Sequence, residues 1–79
     1  MTYAKVDSAQ SLGRVVRRVR LDLDLTQREL AERLDVTQRY LSELEAGKPK
    51  IADQRYFSTL SKLGIDLRAE VEDRHESDA

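Results

Sequence analysis

Residues 25–47 read LTQRELAERLDVTQRYLSELEAG, and this stretch decides the fold of the chain. It predicts two short helices, because each half begins with a threonine whose hydroxyl can cap a helix. Thr26 is followed three residues later by Glu29, which is the spacing of a capping box. Thr37 repeats the cap, and Asp35 lies between the two halves as the turn residue. The pattern indicates a helix, a tight turn and a second helix, which is the plan of a helix-turn-helix motif.

Apolar residues at helical spacing predict one further helix on each side of this motif. Ser8 can cap a first helix of about fourteen residues, whose apolar positions form one face: Leu12, Val15, Val16, Val19 and Leu23. The motif itself predicts helices over 27–34 and 38–46, the latter ended by Gly47. Asp53 can cap a fourth helix that ends at Gly64, with a second apolar stripe: Tyr56, Phe57, Leu60 and Leu63.

The hydrophobic period changes after Gly64. Apolar and polar residues then alternate, which is typical of a half-buried strand; the apolar members are Ile65, Leu67, Ala69 and Val71. A single strand leaves its backbone groups without partners, and the sequence offers no second strand. We therefore expect antiparallel pairing with the same strand of a second copy, and we assign Phe57 to that dimer interface. The predicted organisation is a lead-in at 1–7, a helix-turn-helix domain at 8–64, a dimerisation strand at 65–71 and an acidic, disordered tail at 72–79.

Composition excludes several classes of function. Seventy-nine residues make one domain with a modest core. The absence of cysteine excludes a disulfide framework and a thiolate metal site, and His75, the one histidine, cannot bind a metal alone. We see no carboxylate pair, no nucleophile with a base and no glycine-rich phosphate loop, so we expect neither an enzyme nor a cofactor. No apolar run reaches the ~18 residues of a membrane span and no signal peptide is visible, so we expect no membrane partner and a cytoplasmic location.

The charge is distributed unevenly along the chain. The formal net charge is −1, yet residues 1–62 carry twelve basic and nine acidic side chains, whereas 63–79 carry two and six. The helical part is therefore mildly basic and the tail acidic, which is compatible with a basic face for DNA. Charge alone fits a solvated surface with an acidic tail equally well.

The motif resembles the Cro/C1 (XRE-type) helix-turn-helix family. The usual pattern of that family is T-Q-x-x-L-A-x-x-x-x-[VI]-[ST]-x-x-x-[IL]-S-x-x-E-x-G, which fits residues 26–47 and extends by helix packing over about 8–64. The resemblance implies an all-α, lambda-repressor-like bundle of four or five short helices, here with the C-terminal β-strand used in dimerisation. Asp24 and Asp35 stand where the family often has glycine, and we expect both to adopt left-handed turns.

A narrower resemblance rests on residues 56–71, which are similar to HipB-like antitoxins. That group dimerises partly through a C-terminal strand and binds operator DNA together with a HipA-type kinase toxin. The resemblance implies a homodimeric repressor on an inverted-repeat operator, acting as the antitoxin of a toxin–antitoxin operon. Two alternatives stay open, a solitary XRE-type regulator and a protein-interaction module without DNA binding. A neighbouring kinase-like reading frame separates the first from the antitoxin, and steep salt dependence of DNA binding argues against the second.

In this arrangement the first turns of the third helix meet base edges. Gln38 and Arg39 begin that helix, and their side chains suit adenine and guanine respectively. Glu43 lies one turn further, where it can accept a hydrogen bond from cytosine or repel phosphates. Tyr40 is expected to face outward, and Glu45 to pair with Arg17 or Arg18.

Phosphate contacts are expected from side chains that position the protein without reading sequence. The candidates are Gln27, Ser42, Lys48, Lys50 and Arg55. Gln27 resembles the phosphate-clamping glutamine of the family, and the N-terminus of its helix directs N–H groups toward the same anion. Each of the basic candidates also fits an ordinary solvated position.

Overall fold

The computed structural model describes residues 2–73, and within that range the regular elements are four helices: α1 (Ala9–Asp22), α2 (Gln27–Leu34), α3 (Gln38–Glu45) and α4 (Gln54–Lys62). The prediction of an all-α bundle with four helices is confirmed. The lead-in at 2–7 has no regular structure, and the backbone N–H of Asp7 donates to Ser11 Oγ at 2.9 Å.

Each helix begins at the cap that its sequence predicts. Thr26 Oγ1 accepts from the N–H of Glu29 at 3.1 Å, and the Glu29 carboxylate accepts from the N–H of Thr26 at 2.9 Å, which completes the capping box. Ser8 forms a second capping box with Ser11, whereas Thr37 and Asp53 each accept only from the backbone N–H three residues later. Because a cap of this kind stabilises a helix by about 1 kcal/mol, these local bonds fix where the short helices start.

The turns between helices use backbone conformations that most residues avoid. Asp24 and Asp35 both have φ near 59°, so the predicted left-handed turns are confirmed, and Asp35 directly ends α2. Gly47 follows α3 with φ 82°, and a Cβ there would lie 2.8 Å from the Cα of Gln10. Glycine is therefore required at position 47 both by the turn and by the close approach of α1.

The core lies where α1 and α2 pack against α3. Nine buried side chains form it: Leu12, Val16, Leu30, Ala31, Leu34, Leu41, Leu44, Leu60 and Leu63. Gly13 allows the closest contact, since a Cβ there would lie 2.6 Å from the carbonyl oxygens of both Leu44 and Glu45. The backbone of α1 thus rests on the C-terminal end of α3. Leu23, expected in the buried face of α1, is half exposed because α1 ends at Asp22.

The predicted C-terminal strand is not present. Residues 65–71 have no regular secondary structure, because no second strand exists among residues 2–73 to pair with their backbone groups. Ile65 packs against the core, whereas Leu67 and Val71 are exposed. Of the predicted tail, residues 72 and 73 are exposed and irregular, and 74–79 lie outside the described residues.

Two further findings concern the described part of the chain. None of its helices combines the length and apolar character needed to cross a membrane. Across residues 2–73, no three potential acidic or imidazole ligands come together as a metal-binding group.

Candidate nucleic-acid interface

Helix α3 presents its first turn to solvent and buries its opposite face. Tyr40, Leu41 and Leu44 are buried, while Gln38 and Arg39 are exposed. The side chain of Arg39 is 87% exposed, so its guanidinium can reach a partner outside the protein. Gln38 and Arg39, two of the three residues predicted to contact bases, therefore lie on the surface of the helix that the motif assigns to DNA.

Three cations surround the carboxylate of Glu43. Lys50 Nζ lies 2.5 Å from one oxygen, and Arg39 Nε lies 3.2 Å from the other, with Lys48 Nζ 3.9 Å away. Hydrogen bonds from Lys50 and from Arg39 lower the pKa of Glu43 to about 2, so the carboxylate is ionised throughout the neutral range. Four of the predicted DNA-contacting residues thus meet at one point of the surface, which we call the Glu43 cluster.

Tyr40 is buried, so the prediction that it faces outward is wrong. Its side chain is only 5% exposed, because its position in α3 faces the segment that leads into α4. Lys50 Nζ lies 4.7 Å and the guanidinium carbon of Arg55 4.1 Å from the ring centroid, which is cation–π geometry. The phenol oxygen is buried without a hydrogen-bond partner among the described residues. The ring of Tyr40 therefore contacts Lys50 and Arg55, two of the residues predicted to bind phosphates, through cation–π interactions.

Glu45 does pair with a basic residue, but its partner is Arg20 and not Arg17 or Arg18. Arg20 donates to the two carboxylate oxygens at 2.7 and 3.0 Å, and to the carbonyl of Leu25 at 2.9 Å. The hydrogen bond with Glu45 raises the pKa of Arg20. The pair joins α1 to the end of α3. Helical spacing offered the clue, since Arg20 lies four residues after the fully buried Val16 and so shares its face.

Gln27 joins the same network. Its side-chain Nε2 donates to Glu45 Oε1 at 3.1 Å, so the amide is held at the start of α2 beside the first turn of that helix. Ser42 is half-buried on α3, and Lys48 is exposed in the loop that follows. The contacts of Gln27, Ser42, Lys48, Lys50 and Arg55 with phosphates stay predictions, as do the base contacts of Gln38, Arg39 and Glu43.

The residues predicted for a dimer interface lie around a second surface at the end of α4. Phe57 is 49% and Leu67 41% exposed, and both line a cavity of about 460 Å³ together with Leu60 and Ile65. Phe57 also meets Tyr56 edge to face, with ring centroids 5.5 Å apart. Ala69 and Val71 are exposed further along the chain. This apolar surface is open in the single chain.

The HTH_3 helix-turn-helix family matches residues 16–68, so the chain belongs to this family of DNA-binding domains, and the resemblance to Cro/C1-type proteins is confirmed. No curated protein matches the sequence.

Solved structures show similar folds. A HipB–O4 20mer complex and a HipA–HipB–O2–O3 complex each contain a chain with TM-score 0.72, 22% identity and coverage of 90% of this chain and 100% of that one. The clp gene regulator ClgR from C. glutamicum is 35% identical, with TM-score 0.62, over 78% of this chain and 80% of its own. At 22% identity the likeness to HipB concerns the fold alone.

Proposed function

We propose that this chain is a sequence-specific transcriptional repressor that binds an inverted-repeat operator as a homodimer. One observation carries the proposal: Gln38 and Arg39 project from the first turn of α3, while the opposite face of that helix is fixed in the core. In helix-turn-helix proteins this turn meets base edges in the major groove. Membership of the family supports the same assignment.

The positions of the side chains assign base contacts to some residues and phosphate contacts to others. Arg39 offers a guanine two hydrogen bonds, and Gln38 can do the same for an adenine. Lys48, Arg55 and the N-terminus of α2 with Gln27 would neutralise phosphates on either side and so set the orientation of α3. In a symmetric dimer two such helices enter successive major grooves about 34 Å apart.

The dimer would form through the apolar surface at the end of α4. Phe57, Ile65 and Leu67 supply exposed or half-exposed apolar area there. Residues 65–71, including Ala69 and Val71, keep the alternation of a strand. The N–H of Ile65 donates to the carbonyl of Leu60 at 2.9 Å, so pairing with a second copy would begin after Ile65. A second copy can provide the partner strand that this segment lacks within residues 2–73.

Within this class we assign the chain to the antitoxins of HipAB-like operons. The fold is similar to HipB over 90% of the chain, and one of those structures also contains HipA. The toxin would then be a HipA-like kinase that the dimer neutralises while it represses its own promoter.

A solitary regulator is the second candidate, and the likeness to ClgR favours it, since 35% identity over 78% of the chain exceeds the identity to HipB. Purification of the tagged chain from its native host separates the two. A kinase-like protein in equal amount supports the antitoxin, and a dimer without a protein partner supports the solitary regulator.

DNA recognition itself is tested by selection from a random duplex library, followed by salt titrations of the selected duplex. We expect an inverted repeat, and binding that weakens linearly with the logarithm of salt concentration. Arg39→Ala should cost about 1–3 kcal/mol at one base pair of each half-site. Arg33→Ala removes the same charge from the exposed last turn of α2, at the end away from Gln27, and serves as the control. No enrichment at low salt, or an equal loss on all sequences for Arg39→Ala, would contradict the proposal.

A further inference from the structure

We propose that Glu43 is a specificity-determining residue that keeps Arg39 and Lys50 away from the phosphates of non-cognate DNA. This inference rests on the proposed function and concerns how the same surface discriminates between sequences. A carboxylate on the proposed DNA-facing side of α3 repels phosphates. Glu43 nevertheless lies there, paired with Arg39, Lys48 and Lys50.

The geometry shows what Glu43 holds. Arg39 and Glu43 are four residues apart on α3, so they share one face of the helix. The Glu43 side chain is 23% exposed, whereas that of Arg39 is 87% exposed, so the carboxylate lies beneath the guanidinium. Lys50 is only 15% exposed and is enclosed between Glu43 and the ring of Tyr40. Both cations are therefore paired with Glu43 before any DNA binds.

Pairing affects non-cognate and cognate binding differently. Non-specific affinity comes from neutralised phosphates, each of which contributes about 0.9 to the salt slope. Arg39 must break its ion pair with Glu43 before it can bind a phosphate, so the net free energy that it gains from the phosphate is small. At a cognate site Arg39 exchanges the carboxylate for the two acceptors of a guanine, which compensates for the broken pair. Because specificity is a difference between two affinities, Glu43 raises it by weakening the non-cognate complex.

The first test is Glu43→Gln, measured on a random-sequence duplex and on the duplex selected by the wild-type protein. At about 0.1 M monovalent salt we expect the random duplex to bind roughly eightfold more tightly per protomer for each of the two cations that is released, with a salt slope steeper by about 0.9 for each. The selected duplex gains less, so the specificity ratio falls. Glu32→Gln is the matched control, since Glu32 is an exposed residue of α2 and loses the same charge. It should leave the ratio unchanged.

A second variant, Arg39→Ala, keeps the inference testable if Glu43→Gln fails to fold. Since Arg39 is withheld from phosphates in the wild type, its removal should change affinity for the random duplex less than about twofold. In the Glu43→Gln background the same removal should take away the roughly eightfold share of the gain that Arg39 supplies, which is the coupling that a double-mutant cycle measures.

The outcomes separate this inference from the proposed function. If the wild-type protein selects no duplex, the proposed function fails. If it does select one, and Glu43→Gln weakens that complex without strengthening the random one, repression stands but this inference is overturned, and Glu43 acts as a base contact. A loss of about eightfold on the random duplex for Arg39→Ala in the wild-type background would overturn it as well.

Discussion

Replacing Glu45 with alanine removes the acidic half of the buried ion pair that joins α1 to α3. The side chains of Arg20 and Glu45 are 11% and 3% exposed, and Arg20 donates to both carboxylate oxygens. In the variant the guanidinium keeps only its bond to the carbonyl of Leu25. A charge that water scarcely reaches is then left without a counter-charge.

The expected loss is large for so small a domain. Removal of one partner of a buried pair costs about 3–5 kcal/mol. Stability of roughly 0.05–0.15 kcal/mol per residue gives this chain about 4–12 kcal/mol in total. One kcal/mol shifts the melting temperature of a domain of this size by about 4–8 °C, so Tm should fall by at least about 12 °C. The exposed pair of Arg68 and Asp66 provides the contrast, since its side chains are 65% and 74% exposed and its loss costs less than about 1 kcal/mol.

Thermal and urea denaturation, followed by circular dichroism at one fixed protein concentration, measures both variants. Glu45→Ala should melt far below Asp66→Ala. The double variant Arg20→Met with Glu45→Leu should recover much of the loss, because an apolar pair leaves no charge uncompensated. If Glu45→Ala and Asp66→Ala have melting temperatures within a few degrees of each other, the buried pair does not hold the helices together and the reasoning fails.

Three shorter predictions concern other parts of the molecule. Gly13→Ala should lower the free energy of unfolding by about 1–3 kcal/mol in urea titrations, because the added Cβ meets two carbonyl oxygens at 2.6 Å; a rise in stability, as helix propensity alone predicts, would contradict the close contact. Leu67→Asp should give monomers in sedimentation and weaken operator binding through lost bivalency; an intact dimer would refute the proposed interface. Glu43 should titrate near pH 2 in carboxyl-carbon NMR. Because this pKa lies below the ordinary value of 4.5, the ionised Glu43 stabilises the folded protein fully above pH 4.5, and this stabilisation is lost as the pH falls toward 2. A titration midpoint near 4.5 would show that Lys50 does not pair with Glu43.

The helices and turns were predictable because local chemistry determines them. Thr26, Thr37 and Asp53 each bond to a backbone group three residues away, and Asp24 and Asp35 adopt left-handed conformations on their own. A single sequence contains all of that information. Family membership was equally readable, because the motif is dense within residues 26–47.

Features that depend on packing were predicted less well. Glu45 pairs with Arg20 and not with Arg17 or Arg18 because the packing of α1 on α3 decides which arginine of α1 faces the carboxylate. Tyr40 is buried because Lys50 and Arg55, which follow later in the chain, lie over its ring. The Glu43 cluster could not be read from spacing, since Lys50 reaches it from a loop. The prediction of a strand over 65–71 was wrong for a different reason. Alternation of apolar and polar residues indicates a preference for a strand, but only a partner strand can supply the backbone hydrogen bonds.

The main-chain contact at Gly13 has a consequence for how this scaffold can change. The orientation of α3 depends there on peptide groups, which every substitution on the outer side of that helix leaves in place. Gln38 and Arg39 can therefore be exchanged for other residues without tilting the helix that carries them. In the proposed repressor, substitutions at these two exposed positions would change the operator that is bound, and an engineer could build mutually orthogonal variants in the same way.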